Sequence, residues 1–321
     1  MKAWRAVFLL LLASAVAPLS SHALVVNGGN GTQNKTDPGY DLPWDNVGTT
    51  ATGASGVYLG TFGGEYWVAT ASHVGASNFT LGSTTYSYVS GSAVQIAGSD
   101  LTLFRIASNP GLGSVPLATS SVAVNDLVTM VSVGRVESAY TKWNINTATN
   151  PDTWTVTTGV TYDKHGYTTV AGSGPRWGFG YVNFTDLSYE VGTGSTQAFA
   201  MGFVNGISVV APSAATFGSS TVARSMGQSG DSGGAAFVYN YETSGWELAG
   251  ILGAVGLFQS PSNPDGQPGN TAVFGNVTFA IDLAAYRNDI LAVVPIPEPA
   301  AFAALMGAVG WLLVLRHRRR A

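Results

Sequence analysis

The stretch Gly227–Ala235 reads Gly-Gln-Ser-Gly-Asp-Ser-Gly-Gly-Ala and sets Ser232 directly before two glycines. Glycine adopts positive φ and lets a substrate backbone approach closely. The same arrangement brings backbone N–H groups beside the serine hydroxyl, as an oxyanion hole for acyl transfer requires. A string of this kind also forms ordinary turns, and the chain contains 41 glycines. The motif therefore needs partners elsewhere in the chain.

Two further segments supply those partners. Trp67–Val74 runs as a strand into small residues and then His73, and histidine is the usual base that takes a serine proton. Gly98–Ile106 sets Asp100 at the start of an alternating apolar strand, where a carboxylate can orient an imidazole. Alone, each residue has a plain structural interpretation. Together, in the order His, Asp, Ser, they predict a catalytic triad.

These segments resemble the motifs of chymotrypsin/trypsin-like serine proteases, and the resemblance spans Val25–Val293. Thr70–His73 is similar to the family's Thr-Ala-Ala-His, Asp100–Ile106 to its Asp-Ile-Ala-Leu-Leu-Lys-Leu, and Gly230–Gly234 matches Gly-Asp-Ser-Gly-Gly in full. The resemblance implies an all-β fold of two six-stranded antiparallel β-barrels with a C-terminal helix. Many short β-type runs between turn residues agree, since they indicate a barrel or sandwich.

Two segments need separate interpretation. Leu283–Val293 is the predicted helix, with Asp282 as its N-cap. Thr141–Gly194 is polar, aromatic and low in clear alternation, so we interpret it as an insertion or an elaborated loop region.

The resemblance implies a role for each matched residue. Ser232 is the nucleophile, His73 the general base and then acid, and Asp100 the acid that orients the imidazole. The backbone N–H groups of Gly230 and Ser232 form the oxyanion hole. Asp231 receives a new N-terminal amine after activation.

The start of the mature chain is expected to supply that amine. Leu24–Gly28 resembles the family's Ile-Val-Asn-Gly, which suggests a chain beginning near Val25. Signal-peptide cleavage after Ala23 would instead make Leu24 the first residue. The mature chain would then be one residue longer than the chain that begins at Val25.

Substrate-binding residues follow from two further positions. Met226 lies six residues before the nucleophile, where the family places its specificity residue. A thioether cannot pair with a charge, so we expect an apolar or small side chain before the cleaved bond rather than Arg or Lys. The alternative is that Met226 is simply a core residue. Gly253 lies on the strand that resembles the cleft wall, where the family has a serine that hydrogen-bonds the triad acid. The hydrogen bond to the triad acid must therefore come from another residue or be absent.

Composition narrows the chemistry. The chain has no cysteine, which excludes a disulfide framework, a thiolate metal site and a catalytic thiol. His165 is the competing base, and we interpret it as an exposed turn residue. Histidines are too scarce in this chain to supply the ligands of a zinc protease. We therefore expect no metal and no cofactor. The formal charge of −4 gives no reason to expect nucleic-acid binding.

Residues 1–23 are predicted to be a secretory signal peptide. Lys2 and Arg5 precede the mainly apolar run Ala6–Pro18, and Ser21–Ala23 fits the small-x-small cleavage rule. An uncleaved anchor is the alternative, and the run is short for a bilayer crossing.

Residues 295–321 resemble a PEP-CTERM sorting signal. Pro297, Glu298 and Pro299 precede an apolar run over Ala300–Leu315 and an arginine cluster. The resemblance implies transient anchoring by a transmembrane helix and processing by an exosortase in a Gram-negative envelope. A plain tail anchor is the alternative. Both place the body in the periplasm, at the cell surface or outside the cell. Without both ends the chain carries eight basic and 17 acidic residues, a formal charge of −9.

Residues 24–294 are thus predicted to be a secreted serine endopeptidase that hydrolyses a polypeptide substrate through an acyl-enzyme. Signal peptidase and an exosortase-type enzyme are its expected processing partners. One alternative is a catalytically weak or inactive protease-like module for binding or structure at the cell surface or in the matrix. Another is an esterase that uses the same triad.

Overall fold

A computed structural model describes residues 24–172, 174–191, 194–205, 224–258 and 266–296. The predicted signal peptide and the segment with Pro297, Glu298 and Pro299 lie outside these residues. Within them, no helix is long and apolar enough to cross a membrane. A short 3₁₀ helix covers Trp44–Asn46, and α1 covers Arg287–Val293. The strands are β1 (Val25–Val26), β2 (Val47–Thr50), β3 (Ser55–Phe62), β4 (Glu65–Ala71), β5 (Phe79–Leu81), β6 (Thr84–Tyr86), β7 (Val94–Gln95), β8 (Leu101–Ile106), β9 (Leu127–Ser132), β10 (Arg135–Asn146), β11 (Thr153–Thr157), β12 (Lys164–Ala171), β13 (Arg176–Val191), β14 (Gly194–Gly202), β15 (Ser225–Met226), β16 (Ala235–Asn240), β17 (Gly245–Gly256), β18 (Thr271–Val273) and β19 (Val277–Asp282).

Six strands of the C-terminal half close into an antiparallel barrel in the order β13-β14-β19-β17-β16-β9. Inward side chains such as Val128, Met130 and Phe199 share one buried cluster. Closure pairs every strand edge, so the barrel presents no unpaired ladder to solvent. The predicted all-β class, with a six-stranded antiparallel barrel and a C-terminal helix, is confirmed.

The N-terminal half forms an antiparallel sheet in the order β6-β5-β2-β3-β4-β8-β7. The predicted first barrel of six strands corresponds to this sheet. The sheet has one strand more, because the two-residue β7 pairs with β8 at its edge. Strand β3 is buried on both faces: Tyr58 packs in a cluster with Phe104, whereas Val57 and Leu59 join a cluster that also contains Ile251 of the barrel. One core therefore joins the sheet to the barrel.

The loop interpretation of Thr141–Gly194 is wrong, because most of the segment is strand. β11, β10, β12 and β18 pair in that order as a separate antiparallel sheet, and β13 continues into the barrel. The register of β10 shifts between Glu137 and Tyr140, and that of β13 shifts twice between Val182 and Leu187. Such bulges break the two-residue alternation by which a strand is recognised.

Helix α1 begins at Arg287, four residues after the predicted start at Leu283. Asp282 Oδ1 accepts the N–H of Ala284 at 3.1 Å, so Asp282 stabilises the turn that precedes the helix. Ile290 is the buried residue of the helix and anchors it to the shared core.

A buried ion pair holds the start of the described chain against the barrel. Arg176 and Glu137 have fully buried side chains, and two guanidinium nitrogens each lie 2.9 Å from a carboxylate oxygen. Glu137 also accepts the N–H groups of Val26 at 2.8 Å and Gly31 at 2.7 Å. Arg176 donates to the carbonyl oxygen of Leu24 at 2.6 Å. The pair thus satisfies backbone groups that would otherwise be buried without partners.

We expect Arg176→Met to lower the free energy of unfolding by about 3–5 kcal/mol, because it leaves the Glu137 carboxylate buried without its cation. The double variant Glu137→Met/Arg176→Met removes both charges and is expected to recover part of that loss. Urea unfolding followed by tryptophan fluorescence measures both effects. A loss below about 1 kcal/mol for the single variant would contradict this role.

Candidate active site

His73 and Asp100 meet because they lie at adjacent ends of two paired strands. Ala71 at the end of β4 pairs with Leu101 at the start of β8, and the two site residues lie just beyond this pair. His73 Nδ1 lies 2.8 Å from Asp100 Oδ2 and 3.0 Å from Oδ1. The backbone N–H of His73 also donates to Asp100 Oδ1 at 3.0 Å. The acid therefore holds both the ring and the backbone of the histidine.

Asp100 is buried, and two hydroxyl groups from the barrel reach it. Tyr189 donates from its hydroxyl to Asp100 Oδ2 at 3.1 Å, and Thr196 Oγ1 accepts the Asp100 N–H at 2.8 Å. Tyr189 and Thr196 face each other across β13 and β14. Sequence reasoning missed both residues. The one signal was Gly253, which implies that a donor to the acid must come from another position.

Ser232 lies in the turn between β15 and β16, at the seam between sheet and barrel. Its carbonyl oxygen accepts the N–H of Ser55 at 2.9 Å, and the next residue, Gly233, donates to the Leu252 carbonyl at 2.7 Å. Gly233 has φ +87°, and a Cβ there would overlap the Ser55 carbonyl and the Thr70 hydroxyl. Glycine is therefore required where the serine turn passes the sheet.

His73 and Ser232 line the same cavity, which has a volume of about 460 Å³. The His73 side chain is 36% exposed, and its Nδ1 contacts Asp100, which leaves Nε2 for a serine proton. Between these two described residues the structure has no hydrogen bond. Catalytic contacts of this kind are often long in the substrate-free state and tighten on binding. Gly230 and Arg135 also line the cavity.

Two backbone N–H groups beside Ser232 fit the predicted oxyanion hole. The N–H groups of Gly230 and Ser232 donate to no other described residue, whereas the N–H of Asp231 between them donates to the Gln228 carbonyl at 2.9 Å. Gly230 has φ +93°, which this turn requires. Paired, unsatisfied donors next to a nucleophile can bind the oxygen of a substrate carbonyl.

Asp231 is buried, and its carboxylate bonds to residues other than Ser232. Its Oδ1 accepts the Leu24 N–H at 3.2 Å and the Ser132 hydroxyl at 2.7 Å, and its Oδ2 accepts the Gln228 N–H at 2.5 Å. Burial raises the pKa of Asp231 to about 7, against the lowering effect of these hydrogen bonds. The backbone nitrogen beside Asp231 is that of Leu24, one residue before the expected Val25.

A second cavity of about 260 Å³ adjoins Ser232 on the side of β17. Gly253 lines this cavity. Met226 does not, because it is fully buried in a cluster with Val25 and Phe274. Its sulfur accepts from Gln228 Nε2 at 3.6 Å, so Met226 lies behind the cavity wall. The position of Met226 agrees with the alternative interpretation as a core residue. The full lining is Gly227, Gln228, Ser229, Asp231, Ser232, Leu252, Gly253, Ala254, Val255 and Thr278.

The prediction that His165 is an exposed turn residue is wrong, because it lies in β12 and is half-buried. Its ring centroid is 4.9 Å from that of Phe274 and 5.1 Å from that of Tyr162. Burial and the nearby Lys142 cation lower the pKa of His165. His165 lines neither of the two cavities that contain Ser232. The fold thus brings His73, and not His165, to the candidate nucleophile.

Within the described ranges, no group of three His, Asp or Glu side chains is arranged to hold a metal ion.

No family model matches the chain, and no curated protein matches its sequence. Similar solved structures include the MamO protease domain from Magnetospirillum magneticum, 15% identical, which covers 78% of this chain and 97% of that chain at a TM-score of 0.41. Neuropsin, a serine protease of mouse brain, is 16% identical with coverage of 80% and 96% and a TM-score of 0.43. A mutant of human heparin binding protein is 14% identical with coverage of 85% and 98% and a TM-score of 0.45.

Proposed function

We propose that residues 24–294 form an exported serine endopeptidase in which Ser232 is the nucleophile, His73 the general base and Asp100 the orienting acid. The observation that carries the proposal is the 2.8 Å contact between His73 and Asp100 at a cavity that Ser232 also lines. In support, the unsatisfied N–H groups of Gly230 and Ser232 lie in the same turn as the nucleophile.

The chemistry follows from this geometry. Ser232 Oγ attacks the peptide carbonyl while its proton passes to His73 Nε2, and the resulting oxyanion accepts from the N–H groups of Gly230 and Ser232. His73 then returns the proton to the leaving amine as the C–N bond breaks. Water repeats the sequence and releases the acyl group from Ser232. Asp100 accepts the Nδ1–H of the imidazolium and stabilises its charge.

A fluorophosphonate probe tests the nucleophile. We expect covalent labelling of the purified, processed protein, complete loss in Ser232→Ala, and a rate at least about 10³-fold lower in His73→Ala. His165→Ala is the matched control, because His165 lies outside both cavities, and it is expected to label at the wild-type rate.

No labelling of the folded, processed protein would contradict the proposal. It would favour the protease-like binding or structural module, for which the missing hydrogen bond between His73 and Ser232 is the supporting observation. Labelling combined with hydrolysis of esters but not of peptides would indicate the esterase.

The cavity beside Gly253 fits a small or apolar side chain before the cleaved bond. Glycine and alanine at three positions leave the space open, and Leu252 and Val255 supply apolar surface. Asp231 is its one charged lining residue among those described, and its carboxylate is already bonded to Ser132, Leu24 and Gln228. An Arg or Lys side chain would therefore be buried there without an anion.

In a peptide library we expect small and apolar residues at this position to exceed Arg and Lys by at least about tenfold in kcat/KM, because an unpaired buried cation costs well over 1.4 kcal/mol. Mass spectrometry of the cleaved products measures the preference. A strong preference for Arg or Lys would be incompatible with this pocket.

Signal-peptide removal is the activating cleavage in this proposal. Signal peptidase cuts after Ala23 and frees the Leu24 amine at the position that donates to Asp231, while Arg176 holds the Leu24 carbonyl. An α-ammonium group there places a cation against a buried carboxylate. An exosortase-type enzyme processes the segment with Pro297–Pro299, so that the chain acts in the periplasm, at the cell surface or outside the cell.

A chain that starts at Leu24 and a chain with one alanine added before Leu24 are expected to differ in pH dependence. In the extended form the Leu24 nitrogen is an amide, and burial holds the pKa of Asp231 near 7, above its unfolded value of 3.8. The folded state then binds the extra proton, so the contribution of Asp231 to stability is fully present below pH 4 and is lost as the pH rises to about 7. The α-ammonium of Leu24 removes that loss.

Urea unfolding at pH 5 and pH 7 measures the difference. We expect the extended form to lose about 2 kcal/mol more than the Leu24 form over this interval, since each pH unit contributes up to about 1.4 kcal/mol. The α-amino groups of the two forms differ, but they titrate above this interval, and all other titrating groups are shared and cancel. Equal pH dependence of the two forms would refute an ion pair between Leu24 and Asp231.

A further inference from the structure

We propose that Tyr189 is a positioning residue of the triad, whose hydroxyl replaces the side-chain donor that position 253 lacks and orients the Asp100 carboxylate toward His73. The proposal rests on the proposed function. Its geometric basis is the 3.1 Å hydrogen bond from the Tyr189 hydroxyl to Asp100 Oδ2.

The hydrogen-bonding capacity of Asp100 shows why this donor matters. The carboxylate has no exposed surface, so its partners must come from the protein. His73 supplies its backbone N–H to Oδ1 and its ring Nδ1 to both oxygens. Tyr189 supplies the second donor to Oδ2. Without it, His73 alone would determine the rotation of the carboxylate about its last bond.

Tyr189 acts as a donor in this contact. An ionised carboxylate only accepts hydrogen bonds, so the phenol must donate. Burial is the main cause that raises the pKa of Tyr189 above its usual value, and the negative charge of Asp100 is the second cause. The hydroxyl therefore keeps its proton throughout the pH range in which a histidine base works.

The absence of a side chain at Gly253 leaves the space that the Tyr189 hydroxyl occupies. A Cβ built on Gly253 would overlap the Tyr189 hydroxyl and approach its ring. The tyrosine hydroxyl thus occupies the space where a side chain on residue 253 would begin. Any larger residue at 253 would displace the donor that Asp100 uses.

The barrel holds Tyr189 in place. Its cross-strand partner Thr196 accepts the backbone N–H of Asp100 at 2.8 Å, so one pair of facing residues contacts both the backbone and the side chain of the acid. The Tyr189 ring also packs against Phe279, with centroids 5.9 Å apart. A donor fixed on two strands and a ring contact is preorganised, as a positioning group requires.

Tyr189→Phe removes the hydroxyl and keeps the ring. We expect kcat to fall about tenfold with KM within twofold, and the acidic limb of the kcat/KM profile to move to higher pH. The limb moves because a carboxylate that has lost a donor stabilises the imidazolium more strongly. Tyr58→Phe is the matched control: it removes a hydroxyl bonded to Thr61 at 3.0 Å from a buried ring in the N-terminal sheet. We expect it to leave kcat and the pH profile unchanged.

A swap variant tests the compensation directly. Tyr189→Ala frees the space beside residue 253, and Tyr189→Ala/Gly253→Ser restores a hydroxyl there. We expect the double variant to be at least about threefold faster than Tyr189→Ala, because it again offers a donor to Asp100. A double variant no faster than the single one would count against the replacement of one donor by the other.

A readout that needs no turnover separates this proposal from the proposed function. Residues 24–294 contain two histidines, His73 and His165, so their ring signals are easily assigned by NMR. In a Ser232→Ala background we expect Tyr189→Phe to raise the titration midpoint of His73 and to leave that of His165 unchanged. Asp100 and the cavity residue Arg135, the charged groups near His73, are the same in both proteins. An unchanged His73 midpoint overturns the positioning role, whether or not the wild-type protein proves to be a protease.

Discussion

The Asp100 carboxylate lies buried where the N-terminal sheet meets the C-terminal barrel, and it must be paired to be stable there. Desolvation of a carboxylate costs several kcal/mol unless hydrogen bonds replace the lost water. His73 supplies them from the sheet, and Tyr189 supplies one from the barrel. The acid is satisfied only when the two halves dock in one register. The packing that forms the core therefore also assembles the candidate site.

Asp231 is a second buried carboxylate that must be paired to be stable, on the opposite side of the turn that contains Ser232. It is buried, its pKa is raised, and one of its donors is the backbone nitrogen of Leu24, 207 residues away in sequence. The ion pair of Glu137 and Arg176 holds the segment that carries this nitrogen. The turn with Gly230 and Ser232 is thus connected to the start of the chain through buried charge. In the proposed function, this connection links the cut after Ala23 to the turn that carries the candidate oxyanion donors.

The local sequence was sufficient to identify the three triad candidates. It was not sufficient to identify the residues that hold them in position. His73 and Asp100 follow from strands with clear patterns, and the Ser232 motif is contiguous, so each can be identified within a few residues. Tyr189 lies in a strand whose bulges hide its alternation, and its contact with Asp100 depends on long-range register. Met226 illustrates the opposite case: a spacing rule selects it, but packing buries it behind the cavity. The class of the fold was predictable because turn and strand residues alternate throughout the chain.

In the proposed function one turn supplies both the nucleophile and the oxyanion donors, and a crystal structure of the phosphonylated protein would show whether it does. We expect a covalent bond from Ser232 Oγ to phosphorus, with the phosphonyl oxygen about 2.7–3.1 Å from the backbone nitrogens of Gly230 and Ser232. We also expect His73 Nε2 to lie within hydrogen-bond distance of the Ser232 oxygen while Nδ1 keeps its contact with Asp100. A phosphonyl oxygen directed away from both nitrogens, or an adduct on another residue, would contradict these roles of Ser232 and Gly230.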